Sequence, residues 1–444
     1  MESFDLVIRR GRVVTDQAVS QCDIAIVDGQ IVTIEEEVQG GGRDEIDASG
    51  LHVFPGGVDP HVPFDEPGRT EWEGFASGTR ALAAGGMTTF IDMPLNCTPV
   101  TVDGESFDRK HEAADVSCLV DFAFWGGLIP GNRDHLGELA DRGVVGFKAF
   151  MCDAGIEEFP AADDLTLFEG MVTAAGLGLP VAVHAENDAI TRGLLARARG
   201  EGRRSAADFV AARPPIAEIE AIHRAILLAE EAGCSLHVVH VSTARGVMLV
   251  DQARARGVDV TCETCPHFLL FVEDDLEELG VAGKCLPPLR TEAERLGLWS
   301  LLEAGAIPIV ASDHSPAPPS LKTDRDFLDA WGGVSGCQST LQLLLAAETE
   351  RSITLSQIAA VLSGNPAERF GLRRKGRLAV GNDADVAIID LGYDATLQES
   401  DLHYRYPPSA YVGCRIRGRM VRILRRGMTI IEDNKFVAAG GGRL

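Results

Sequence analysis

From residue 52 to about residue 312, short apolar runs alternate with helix-like segments, and no other feature limits the fold so strongly. The runs fall near 52–58, 87–92, 119–125, 144–150, 179–184, 235–241, 257–262 and 307–312. The clearest helical patterns between them are Trp72 to Ala84, Ile216 to Ala232, Thr243 to Arg256 and Glu292 to Glu303. Repeated strand–helix units imply parallel strands, in a closed (β/α)₈ barrel or an open doubly wound sheet. Chemistry-bearing residues favour the barrel. The run Phe54–Phe64 delivers Asp59 and His61, and other runs end at Lys148, His184, His240 and Asp313. Only closure gathers so many strand ends around one mouth.

The two ends of the chain read differently. Leu6-Val7-Ile8, Arg12-Val13-Val14 and Asp23–Val27 are β-type runs, and Asp28-Gly29 is a hairpin signal. The β rhythm returns after about 370, in Asp385–Ile389, Arg415–Gly418, Met420–Leu424 and Met428–Ile431, with Asp433-Asn434 as a further turn. We therefore expect α/β architecture: a TIM-like barrel over 52–370, with a small composite β-sandwich built from 1–51 and 371–444. The stretch Ala438–Gly442 reads as mobile.

Composition narrows the partners. A chain of 444 residues that is 45% hydrophobic can bury a large core. Its net charge of −25 disfavours nucleic acid and anionic membrane surfaces. Cys262 and Cys265 have C-x-x-C spacing, but no second pair follows, so the ten cysteines read as reduced and buried. The N-terminus lacks a basic and apolar leader pattern, and no apolar run approaches membrane-span length, so a cytoplasmic location is expected.

Imidazoles, a carboxylate and a lysine at one barrel mouth can together hold a hard-to-borderline metal. His184 and His240 would be neutral imidazole ligands. Residues three apart on a strand face opposite sides, so His237 is read as structural and turned toward the helices. A lysine ending an apolar run is costly as a buried cation and tends to deprotonate; a neutral amine can then react with CO₂.

His61-Val62-Pro63-Phe64-Asp65-Glu66-Pro67-Gly68-Arg69-Thr70-Glu71-Trp72-Glu73-Gly74-Phe75 resembles the opening motif of allantoinases, cyclic-amide hydrolases of the amidohydrolase superfamily. Dihydroorotases and hydantoinases are their cousins. Gly146–Cys152 and Ser312–Pro316 are similar to the same family, and the resemblance runs nearly the whole chain. It implies a carboxylated Lys148, whose carbamate bridges one or two divalent ions, zinc foremost and then manganese, cobalt or iron. It also implies His61, His184, His240 and Asp313 as ligands, with His61, Lys148 and Asp313 on the more buried metal. Asp313 doubles as the general base that manages the proton. Substrate contacts implied are Asn96, the backbone of Cys285, Ser315 and Gly333 with its neighbour Gly332. Glu66 and Arg69 read as a structural ion pair in the first loop, and the acidic loop Cys152–Glu158 as a lid or a solvated loop. His267 has no assigned role. A homodimer or homotetramer is implied.

One departure stands out: the family's first motif is His-x-His, and the second position here is Pro63. Proline has neither an imidazole nor a free N–H. Three states are compatible with that loss: one firmly held metal at Lys148, His184 and His240; two metals, one of them loose; or a metal-poor relative. The activity expected is hydrolysis of a small cyclic amide, allantoin to allantoate. The alternatives are a hydantoinase- or dihydropyrimidinase-like activity, another cyclic-imide hydrolase, or a non-catalytic scaffold.

Overall fold

In a computed structural model, residues 4–323, 326–407 and 409–443 are described. The barrel strands, in order, are Gly57–Val62, Met87–Asp92, Asp121–Phe124 (resuming at Gly126–Gly127), Phe147–Phe150, Val181–His184, Leu236–Val238, Val260–Thr264 and Ile309–Val310. All pair parallel, each with its sequence neighbour. The third strand joins the two halves of the barrel, because Phe124 accepts from Val145 N and Gly126 N donates to Gly146 O. Among the described residues no ladder links the eighth strand to the first. Asp59 spans that seam instead: its Oδ1 accepts from Ser312 N at 3.2 Å and His61 N at 3.3 Å.

Helices sit where the periodicity placed them, at Phe75–Ala84, Pro215–Ala232, Ala244–Ala255 and Glu292–Glu303. Local chemistry sets their ends. Asp163 caps the helix Asp164–Leu177 by accepting from Thr166 N, and Gly178 closes it in the left-handed region at φ 70. Among the described residues no helix is long and apolar enough to cross a membrane.

The terminal segments form one nine-stranded sheet. The N- and C-terminal halves meet where His52–Pro55 runs antiparallel to the strand Val386–Thr396. Its core mixes both ends: Ile8, Ile24, Ile26 and Val53 pack with Val386, Ile388 and Leu424. The run that begins at 52 therefore divides at Gly56, the terminal sheet taking His52–Pro55 and the barrel beginning at Gly57. Asp28 and Gly29 both have positive φ, as the hairpin signal requires, and Val27 pairs with Gln30. The C-terminal stretch expected to be mobile is tied down: Gly442 N donates to Cys118 O, and Phe122 N to Arg443 O.

A buried ionic staple joins barrel to sheet. Lys375 contacts Asp121, Asp383 at 3.0 Å and Asp385 at 2.7 Å, and all three carboxylates are buried. Removing the lysine leaves three buried carboxylates with only Arg426, 2.8 Å from Asp121, and Arg374, 3.5 Å from Asp383, as counter-charges. Lys375→Met should cost about 3–5 kcal/mol of stability in urea denaturation at neutral pH. Burial already pushes Asp385 up from the usual carboxylate range. Without the lysine, protonation relieves the repulsion, so the loss should shrink as pH falls toward 5.

Candidate active site

The site is assembled from strand ends. His61 lies in the first barrel strand with its ring buried. Its Nδ1 is 2.5 Å from Glu263 Oε1, and its Nε2 is 3.3 Å from Asp313 Oδ1. With the Nδ1 proton donated to Glu263, Nε2 presents its lone pair toward Asp313. Asp313 follows the eighth strand in the left-handed backbone region, φ 46. Burial pushes its carboxyl up to about 6, against the pull of His61 and Lys148.

His184 ends the fifth strand and stacks on Phe150, with ring centroids 4.6 Å apart and planes inclined by 11°. Its Nε2 lies 2.8 Å from Glu186 Oε2, a carboxylate also paired with Arg213. Burial opposes the ionisation of Glu186, but Arg213 and His184 overcome it and hold the carboxyl at about 2. Burial lowers His184 to about 4, and lowers His240 well below the usual imidazole range. Both rings are therefore neutral at pH 7. His184 Nδ1 and His240 Nε2 stand 3.0 Å apart. A tetrahedral ion with metal–nitrogen bonds of about 2.0–2.1 Å separates two ligand nitrogens by roughly 3.3 Å. The imidazole pair thus fits one cation with little movement.

Lys148 is the second residue of the fourth strand and is fully buried. Its Nζ has no hydrogen-bond partner and lies 4.8 Å from the centroid of Phe150. Burial lowers its pKa to about 8 in spite of the nearby Glu263 and Asp313 carboxylates. An orphaned amine that gives up its proton more readily than an ordinary lysine, beside imidazoles and a carboxylate, suits conversion to an anionic ligand.

A cavity of about 90 Å³ opens onto these groups. His61, His184, His240 and Asp313 line it, and so does Pro63. Of the expected substrate contacts, Asn96, Ser315, Gly332 and Gly333 line it as well. Cys285 does not: it is buried, and its neighbour Leu286 takes the place on the wall. Gly333 has φ 136, and an added Cβ would meet Ser315 O at 2.3 Å, so no side chain fits there. A roomier recess of about 680 Å³ near Leu276 and Phe327 shares no residue with this cavity.

Two expectations are corrected. Arg69 does not pair with Glu66. Its guanidinium donates to Asn96 O at 3.0 Å and Glu158 Oε1 at 3.1 Å, whereas Glu66 accepts from Phe75 N at the start of a helix. His237 does not face away from the site. The strand ends at Val238, and His240 adopts φ 39, so alternation no longer relates the two residues. His237 Nε2 instead meets Glu263 Oε2 at 3.0 Å, on the same carboxylate that holds His61. The residues missed from sequence are Glu263, Glu186 and Arg213. For Glu263 and Glu186 the signal was a charged residue inside or just beyond an apolar strand; Arg213, between the helices Ala206–Ala212 and Pro215–Ala232, gave none.

Among the described residues, three clusters bring possible ligand atoms within 4.8 Å of one another: Cys152–His184–Glu186, Cys265–His267–Asp313 and Asp121–Asp383–Asp385. The last is occupied by cations already, Lys375 with Arg426 and Arg374, and in the first Arg213 pairs with Glu186. The expected ligand set as a whole is not one of these clusters, although His184 and His240 approach to 3.0 Å and His61 and Asp313 to 3.3 Å.

The amidohydrolase family model matches residues 52–422. The chain belongs to the amidohydrolase family. A protein named allantoinase from Rubrobacter xylanophilus is 55% identical over all of this chain and 98% of its own length. One from Solibacter usitatus is 52% identical, over 99% of this chain and 96% of its own. Among solved structures, the L-hydantoinase (dihydropyrimidinase) from Arthrobacter aurescens superposes with a TM-score of 0.97 at 34% identity, covering 99% of both chains. This amidohydrolase is thus a barrel with a companion β-sandwich formed by its termini, and it acts on cyclic amide C–N bonds.

In this amidohydrolase, Arg69 ties loops together around the cavity mouth. Beyond its two hydrogen bonds it lies 5.3 Å over Trp72, which packs edge-on against Trp331 of the cavity wall. Arg69→Ala should raise KM several-fold with a smaller change in kcat, and Glu158→Gln should do so more weakly. Steady-state kinetics with each variant checks this.

Proposed function

We propose that the chain hydrolyses allantoin to allantoate, opening the five-membered hydantoin ring with a metal-assisted water. The observation that carries the substrate is full-length identity of up to 55% to proteins named allantoinase. The hydantoinase structures, close in fold at 34% identity or less, favour a hydantoin or dihydropyrimidine ring as the second reading.

His184, His240 and a carboxylated Lys148 would hold one divalent ion. His61, Asp313 and the same carbamate would hold another less firmly, because Pro63 supplies no nitrogen. Zinc is the first choice for this nitrogen and oxygen set, with manganese, cobalt and iron as alternatives. When bound, such a metal supplies Lewis acidity toward the ring carbonyl and brings the pKa of water toward neutrality.

The residues of the chain do the rest. Asp313, pushed up to about 6, is an adequate base near neutral pH. It takes a proton from the attacking water and passes it to the ring nitrogen as the C–N bond breaks. Asn96, Gly333 and Ser315 border the cavity and would hold the ring amide and the ureido arm. Burial keeps His184 and His240 unprotonated, and Phe150 fixes the His184 ring plane. All ten cysteines are free, which suits the reducing cytoplasm, and a homodimer or homotetramer is the assembly proposed.

The deciding assay is allantoin ring opening by purified protein, with bound metal counted in the same samples. Turnover that rises with added zinc or manganese is expected. Opening of hydantoin or dihydrouracil but not allantoin would select the second reading, and no turnover at any loading would select the scaffold. Pro63→His should raise metal content and strengthen retention against chelators; no change in either would show that position 63 does not limit the site. Labelled bicarbonate should give one carbamate carbon resonance, absent from Lys148→Gln.

A further inference from the structure

We propose that Glu263 is a positioning residue that holds the two poles of the site together, fixing His61 through its ring and His240 through its backbone. The inference rests on the metal-dependent reading above. It concerns how the chain prepares its ligands, not which substrate it takes.

Glu263 lies inside the seventh strand, with 1% of its surface exposed. Both oxygens are engaged. Oε1 accepts from His61 Nδ1 at 2.5 Å and from the backbone N–H of His240 at 3.3 Å. Oε2 accepts from His237 Nε2 at 3.0 Å, and the other ring nitrogen of His237 lies 2.8 Å from Thr261 Oγ1. A side-chain line therefore runs from Thr261 through His237 and Glu263 to His61, and His61 turns its remaining nitrogen toward Asp313 at 3.3 Å.

Two consequences follow. Accepting the Nδ1 proton leaves His61 only one arrangement useful to a cation, with the lone pair on Nε2. Bonding the His240 amide supports a residue in the left-handed region, φ 39, which is strained for a histidine. That backbone turn breaks the alternation of the strand and brings His240 Nε2 next to His184. One carboxylate thus sets the geometry of one proposed ligand on the first strand and of another just past the end of the sixth. Proline at 63 sharpens the dependence of the first pole on His61, since no second imidazole from that strand can take over.

Orienting carboxylates of this kind are worth about 10–100-fold in metal affinity. Glu263→Gln should weaken metal retention by about that factor in chelator competition, with total metal counted by mass spectrometry. Glu263→Asp keeps the charge but shortens the reach, so it should remain weak. Full recovery in Glu263→Asp would overturn positioning in favour of charge alone, and wild-type retention in Glu263→Gln would overturn the proposal outright. A second measurement needs no variant to fold. In metal-free wild-type protein labelled at histidine, nitrogen–proton spectra should show His61 protonated at Nδ1, with a strongly downfield proton. A His61 carrying its proton on Nε2 would refute the proposal. Neither readout involves substrate, so failure to turn over allantoin leaves this proposal standing, and its own failure leaves the allantoin reading intact.

Discussion

A fully buried amine with no hydrogen-bond partner is the constraint on which the rest of this site depends. Among the described residues Lys148 Nζ has no hydrogen-bond partner, and its side chain is fully buried. A charged ammonium in such a place carries a large desolvation penalty. The barrel nevertheless supports a lysine there, on a strand whose neighbours Phe147 and Ala149 are buried core. The strand is rigid and held on both sides by parallel ladders, so the amine cannot snorkel to solvent. Burial lowers its pKa to about 8, so the uncharged amine is far more accessible near neutral pH than in an ordinary lysine.

The same low-polarity surroundings set the other groups. Burial keeps His184 and His240 neutral, the form that the proposed ligand role requires, and lifts Asp313 to about 6, within reach of the proposed base role. Each functional group is then fixed by a partner behind it: His184 by Glu186, Glu186 by Arg213, and His61 by Glu263. These outer partners are themselves buried and ionic. They are stable only because each is matched, and a site left half-matched would be worse than an apolar one.

Much of this was legible in the sequence, for reasons that can be named. The alternation of apolar runs and helical faces is a local signal, so the barrel strands and four major helices emerge within a few residues of their places. The Asp28-Gly29 turn announced itself because only a few residue types tolerate its backbone. The ligand candidates were visible because each ends an apolar run. What failed was anything that depends on a local break or on distant chain. Alternation puts His237 and His240 on opposite faces only if the strand continues, and here it stops at Val238. Glu263 could not be paired with His61 from sequence, since 202 residues separate them. The sequence pairs Arg69 with Glu66, three residues away, whereas the loop turns it toward Asn96 and Glu158. The C-terminal glycines looked free because the groups that bind them, Cys118 and Val120–Phe122, lie in a different unit of the fold.

The central claim is an uneven site: one pole complete at His184, His240 and Lys148, and one weakened at His61 and Asp313 by the proline at 63. Anomalous diffraction from crystals grown with limiting zinc tests it directly. The account predicts strong scattering beside His184 and His240, continuous density from Lys148 to that ion, and a weaker or absent peak beside His61. Equal peaks at both poles, or zinc bound elsewhere with Lys148 unmodified, would contradict it.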